Sequence, residues 1–265
     1  MATKKIKQLE KILIAVGIAL LAVVIICIVV FSRADKVSAP EAIPVLTTTT
    51  TTTTTTTVTT TTTVTYDYTM HIDMEKVRQH HEKNPDVVGW VYVNDTPIDY
   101  PIVQKDDNAY YIDRDWEGNH SSAGSIFEDF RGKINETENT LLYGHNMGNG
   151  SMFHSVKRFK EEEWGRQHIY FEVATLEKRY LYRIVASSVL NGEDGAAFDY
   201  WNRITLNQEE FQKYIEEIRS TALVWYAPDD DPPTYGDKMI ALQTCNSGAD
   251  DGIRCILFGQ CLGEY

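Results

Sequence analysis

The chain is poor in cysteine, in positive charge beyond its first few dozen residues, and in any grouping of metal-ligand side chains. Four cysteines in 265 residues exclude a small scaffold built on disulfides. Cys27 falls inside an apolar run, which leaves Cys245, Cys255 and Cys261, and an odd number leaves at least one thiol unpaired within the chain. Cys255 and Cys261 share one expected strand, where their separation of about 20 Å is too long for a disulfide. Cys245 reaches Cys255 only by turning toward it across a hairpin, so no structural disulfide is expected. Lys and Arg number 25 against 38 Asp and Glu, a net charge of −13. The first 36 residues carry +4, so the remainder carries −17. A surface that acidic repels phosphate backbones and excludes nucleic acid as a partner; its plain role is solubility. No His, Asp and Glu cluster has ligand spacing, and Asp229 to Asp231 ahead of Pro232 and Pro233 reads as a solvated turn, so neither a metal nor another cofactor is expected.

What the chain does have is strongly partitioned. Residues 12–31, ILIAVGIALLAVVIICIVVF, are apolar throughout and long enough to cross a hydrocarbon core of about 30 Å. A cleaved signal peptide has a shorter apolar core, so a retained anchor is expected. Lys4, Lys5, Lys7 and Lys11 precede the span and only Arg33 and Lys36 follow it closely. The positive-inside bias therefore places a cytoplasmic tail at 1–11 and everything after the span outside the cell. Residues 32–65 hold an almost unbroken threonine tract, which has nothing to bury and reads as a disordered stalk. Residues 66–265 remain, enough for one extracellular domain with a real core.

The texture of that domain is mainly β. Asp73 caps an expected helix over 74–83 that Asn84-Pro85 ends. VVGWVYV at 87–93, YPIVQ at 100–104, GSIFEDF at 124–130, NTLLYGH at 139–145, IYFEVAT at 169–175 and KRYLYRIVASSVL at 178–190 are strand candidates. In the last of these, Tyr180, Tyr182, Ile184 and Ala186 fall on one face by alternation. MIALQTC and IRCILFGQCL form the closing pair. Many short strands separated by turns predict a closed or nearly closed barrel. Asn207 and Glu210 have capping-box spacing ahead of a helix whose Phe211, Tyr214, Ile215 and Ile218 form one stripe. A second, shorter helix is expected over 152–160.

The candidate chemistry gathers at two strand ends. Cys245 closes one apolar strand, precedes the polar loop Asn246 to Gly252, and is followed on the returning strand by Arg254. A guanidinium beside sulfur favours thiolate and supplies donors to an oxyanion. Cys255, the neighbour of Arg254, then faces the other way, and Cys255 and Cys261 read as inert core thiols. A thiol nucleophile needs a proton carrier. Of seven histidines, His145 alone closes a β-run beside a glycine-containing loop; the others read as surface residues, or in the case of His154 as packing.

YGHNM at 143–147, LQTC at 242–245 and Arg254 together resemble the signature segments of the sortases, cysteine transpeptidases of Gram-positive cell surfaces. GWVYVNDTPIDYPIVQKDDNAYY at 89–111, GSIFEDFRG at 124–132 and the inserted helix at 207–220 resemble class B in particular. The cysteine motif departs from the TxTC form, with Leu at its first position and Gln at its second, which touches the pocket wall rather than the chemistry. The resemblance implies a sortase-like closed barrel of about eight strands with an N-terminal helix and a helix inserted before the last two strands. It implies that Cys245 cleaves an Asn-Pro-x-Thr-type C-terminal sorting signal after Thr through a thioester, with His145 as acid and base and Arg254 on the oxyanion. Secreted proteins bearing that signal and an amine of a lipid-linked peptidoglycan precursor are the implied partners. Thr244, Tyr214 and Ile215 are implied to line the peptide groove, although the helix stripe equally fits ordinary packing. Two other readings stand beside this one. Cysteine L,D-transpeptidases resemble a Ser-x-Gly-Cys-x-Arg pattern, in which the arginine follows two positions after the cysteine. A non-catalytic surface-display module is the other, in which Cys245 and His145 matter only for stability.

Overall fold

The computed structural model describes residues 68–247 and 252–265, together with Thr47–Thr48 and Val64–Thr65, which pair as a two-residue antiparallel ladder. The expected cytoplasmic tail, the anchor at 12–31 and the rest of the stalk lie outside the described residues. Among the described residues no helix is long and apolar enough to cross a membrane.

Thr69–Tyr265 folds as one unit. Helix α1 (Met74–Lys83) opens it, with the Asp73 carboxylate accepting from the amides of Glu75 and Lys76, and the chain leaves the helix at Asn84. Strands β1 (Val87–Val93), β2 (Asp99–Val103), β3 (Ile126–Glu128) and β4 (Asn139–Tyr143) follow. After a short helix, α2 (Glu162–Gln167), come β5 (Tyr170–Thr175) and β6 (Arg179–Asn191). Helix α3 (Gln208–Thr221) then precedes β7 (Ala222–Trp225), β8 (Met239–Cys245) and β9 (Ile253–Glu264). The sheet order is β9-β8-β4-β3-β2-β1-β5-β6, and β6 pairs back to β9. That closes a barrel of eight strands, the closure the strand pattern predicts and the count the resemblance implies, with short β7 added to β6 outside the ring.

Two apolar layers meet on β4, β8 and β9. Ile240 and Leu242 of β8, with Leu142 of β4 and Cys255 and Leu257 of β9, fill the barrel interior. Met239 and Ala241, with Leu141, Ile256 and Phe258, face outward into a second layer roofed by Phe211, Tyr214, Ile215 and Ile218 of α3. The period of two along each strand thus sends alternate residues into different cores. Helix α3 is placed by its capping box, in which Asn207 and Glu210 satisfy each other's backbone amides.

Three local expectations change. On β6, Ile184 pairs with Gly259 and Ala186 with Phe258, so Val185 is the extra residue of a bulge. Tyr180, Tyr182 and Ile184 stay inside while Ala186 crosses to the outer layer, because a bulge resets the alternation. The expected helix at 152–160 is a 3₁₀ helix over Phe153–Lys160, buried at Phe153, Val156 and Phe159. Those residues recur every three positions, which matches 3.0 rather than 3.6 residues per turn. GSIFEDF contributes only three residues to the sheet, since the Asp129 side chain accepts hydrogen bonds from the loops around it.

Candidate active site

Strands β4 and β8 run parallel and reach the same rim together. Their last pair is Tyr143 with Gln243, beyond which the Gly144 amide donates to the Gln243 carbonyl at 3.1 Å. Cys245 ends β8, and His145 lies two residues past the end of β4. Strand β9 returns antiparallel with Arg254 directly opposite Cys245. Gln243 and Cys245 share the parity of Met239 and Ala241, and Arg254 shares that of Ile256 and Phe258, so the thiol and the guanidinium continue the outer layer where its apolar cover gives way.

The remaining thiols sit differently. All three described cysteines are free, as the sequence predicts. Cys255 lies in the barrel interior with its sulfur 3.1 Å from the Asn246 carboxamide oxygen, and burial pushes its thiol up despite nearby Lys160. Burial pushes Cys261 to about 11. Neither supplies a thiolate at neutral pH. Cys245 is the half-buried thiol at the rim.

His145 is held from behind. Its Nε2 lies 2.8 Å from the Ile112 carbonyl oxygen. A carbonyl only accepts, so Nε2 carries the hydrogen and Nδ1 is the nitrogen left to take or give a proton. The preceding Gly144 has no room for a side chain, because a Cβ there would run into Ile126 and lie 2.7 Å from the Phe153 ring. This close approach lets the chain turn out of the sheet at the imidazole. Deeper still, the Tyr143 hydroxyl donates at 2.9 Å to the fully buried Asp129 carboxylate, which also accepts from Arg131 Nε at 2.8 Å and Asn108 at 2.8 Å. Burial works against ionisation of Asp129, but the Arg131 guanidinium and these hydrogen bonds outweigh it and hold the carboxyl below the usual range.

Arg254 has a wall that the sequence reading missed. The Tyr200 hydroxyl, from the β6–α3 connection, donates to Gln243 Oε1 at 2.7 Å. A Cβ on Gly192 would lie 2.7 Å from Arg254 Cγ and 3.2 Å from the Tyr200 hydroxyl, so all three meet at one point. The signal available in sequence was Gln243 itself, the polar residue inside the apolar run before Cys245.

Three expected groove residues are placed elsewhere. Tyr214 is fully buried and Ile215 is 9% exposed. Both pack in the outer layer, where the Tyr214 ring lies against Phe198 and Phe258. Thr244 is 2% exposed, with alternation turning it to the interior, and its hydroxyl has no hydrogen-bond partner among the described residues. In this structure all three pack: the α3 stripe roofs the core, and parity turns Thr244 away from Cys245.

A thiol, an imidazole and a guanidinium brought to one rim are side chains that covalent acyl transfer can use. A family model described as the sortase domain matches residues 91–261. Sortase B of Listeria monocytogenes is 30% identical over 178 residues, covering 66% of this chain and 69% of that protein. Sortase B of Staphylococcus aureus is 26% identical over 175 residues, with the same coverages of 66% and 69%. Among solved structures, sortase B of Clostridium perfringens superposes with a TM-score of 0.63 at 28% identity, over 69% of this chain and 98% of that one. The matched stretch runs through the barrel from β1 to β9 and includes the rim just described, so the chain belongs to the sortase family, as a cysteine transpeptidase of the class B type.

Proposed function

We propose that this transpeptidase cleaves an Asn-Pro-x-Thr-type sorting signal after Thr and joins the new carboxyl end to a peptidoglycan amine. The Cys245 sulfur attacks the Thr carbonyl, and Arg254 stabilises the resulting oxyanion. As the carbon–nitrogen bond breaks, the departing amine takes a proton from His145, leaving a thioester. The acceptor amine then attacks the thioester and gives its proton to His145. The carbon–sulfur bond breaks, and the Cys245 thiolate is restored.

The observation that carries this reading is the register pairing of Cys245 with Arg254 at a rim where the parallel β4 delivers His145. It also separates the reading from an L,D-transpeptidase arrangement, since here the arginine stands opposite the cysteine across a hairpin rather than two positions along one strand. The apolar run at 12–31 and the charge bias around it support a single-pass anchor with the catalytic domain outside the cell, the stalk carrying it into the wall.

The test uses purified full-length chain, quenched Asn-Pro-x-Thr and Leu-Pro-x-Thr peptides, and added amines. Cleavage of the first peptide and amine-dependent product are expected, with both lost in Cys245→Ala. Turnover that survives in Cys245→Ala rejects the reading, and so does a display module's outcome, in which no peptide is cut at all.

A further inference from the structure

The backbone ladder between β4 and β8 ends one rung before the chemistry. In a parallel pair, donors from one strand reach every second carbonyl of the other. The Gly144 amide serves Gln243, so the next rung is the Asn146 amide to the Cys245 carbonyl. In its place the Asn146 side chain makes the bond: Nδ2 donates to the Cys245 carbonyl at 3.0 Å. The backbone there has already turned away, with Asn146 bridged to Met152 and the Phe153 amide donating to the His145 carbonyl at 3.0 Å. Met152 pays for that turn with a left-handed φ of 57°, and its amide donates to the Tyr100 hydroxyl at 3.1 Å.

The carboxamide has a second partner that fixes its orientation. The Cys245 carbonyl only accepts, so the amide nitrogen faces it and Oδ1 faces His154, whose Nδ1 lies 2.9 Å away and must carry a hydrogen. We infer that Asn146 is a positioning residue for the transfer reaction: its side chain replaces the missing ladder rung, keeping the His145 turn in register with Cys245, and His154 orients it. The inference rests on Cys245 being the nucleophile. Neither side chain acts on the substrate. Their effect is on the relative placement of thiol and imidazole, where an error of about 1 Å costs about a hundredfold in rate.

The test measures kcat, KM and melting temperature of the full-length chain on the cleaved peptide. Asn146→Ala is expected to lose about tenfold to a hundredfold in kcat, with KM within about twofold, the pattern of a lost transition-state arrangement. Asn146→Asp is expected to fall as far, because a carboxylate cannot donate to a carbonyl. His154→Ala is expected to lose several-fold alone and nothing further on top of Asn146→Ala, whereas His154→Asn, which keeps an N–H donor at the Nδ1 position, stays close to the starting rate. A kcat for Asn146→Ala within about twofold of the parent, or full additivity with His154→Ala, overturns the assignment. Should Asn146→Ala fail to give a folding transition, the His154 pair decides, and an unaffected His154→Ala then overturns it. Cys245→Ala run alongside keeps the two levels apart. Activity in that variant refutes the nucleophile, while an inactive Cys245→Ala with an undisturbed Asn146→Ala refutes the rung alone.

Discussion

The two faces of β8 are built from alternating residues of one heptapeptide, yet they do different work. The inner face, Ile240, Leu242 and Thr244, is sealed in or against the barrel. The outer face begins just as apolar with Met239 and Ala241, then turns polar with Gln243 and ends at the half-buried Cys245. Strand β9 repeats the pattern, with Phe258 and Ile256 leading out to Arg254 while Leu257 and Cys255 stay inside. A single period of two therefore separates fold from chemistry, and neighbouring substitutions should fall into two classes. Outer-face changes at the rim should alter turnover and leave stability alone, and inner-face changes should do the reverse.

The largest effect is expected at Arg254. Arg254→Lys keeps the charge but loses the planar fork, and a loss of about a hundredfold to a thousandfold in kcat is expected with little change in melting temperature. A near-normal rate there removes Arg254 from the oxyanion and breaks the outer-face account. Gly192→Ala probes the same wall less directly. The new methyl collides with Arg254 Cγ and crowds the Tyr200 hydroxyl, so steady-state kinetics should show about a tenfold loss or more. The contrast sharpens if its unfolding midpoint stays put.

Glu128 tests the buried side through pH. It is 1% exposed with one carboxylate oxygen unpartnered among the described residues, and burial, reinforced by Asp129, raises its pKa to about 8. The folded state thus holds a proton that the unfolded chain releases from near 4.5 upward. Its stabilising contribution is full below that value and is lost as pH rises through about 8. Glu128→Gln should flatten this slope and raise the melting temperature at pH 9, by up to a few kcal/mol in stability. An unchanged pH–stability curve would show that the carboxyl is not neutral in the fold. The smallest effect is expected one residue from Cys245. Thr244→Val replaces a buried, unpartnered hydroxyl by a methyl of similar shape, and a gain of about 1 kcal/mol with unchanged kcat is expected by denaturant titration. A loss of turnover instead would return Thr244 to the substrate side.

Much of this arrangement is legible in the sequence. The α1 and α3 caps, the strand spans and the relation of Cys245 to Arg254 follow from local chemistry and from the period of two, which short-range sequence records directly. What was hidden depended on long-range partners. The Val185 bulge is set by how β9 pairs with β6, so alternation alone misplaced Ala186. For Tyr214 the resemblance implies the groove and the stripe implies packing, and an apolar stripe does not say what it packs on. The Tyr200–Gln243 contact spans 43 positions in sequence, and no local pattern encodes it. The 3₁₀ helix was the exception: Phe153, Val156 and Phe159 display a period of three in the sequence itself, and that signal was available locally.

The most direct test of the central claim, that the thiol at the outer rim forms the covalent intermediate, is intact-protein and peptide mass spectrometry of the full-length chain mixed with sorting-signal peptide and no amine. The account predicts a thioester carrying the peptide's Thr-terminated fragment on Cys245, absent in Cys245→Ala and discharged when an amine is added. A fragment attached to Cys255 or Cys261, or peptide cleavage with no adduct on any cysteine and none trapped by acid quench, would contradict it.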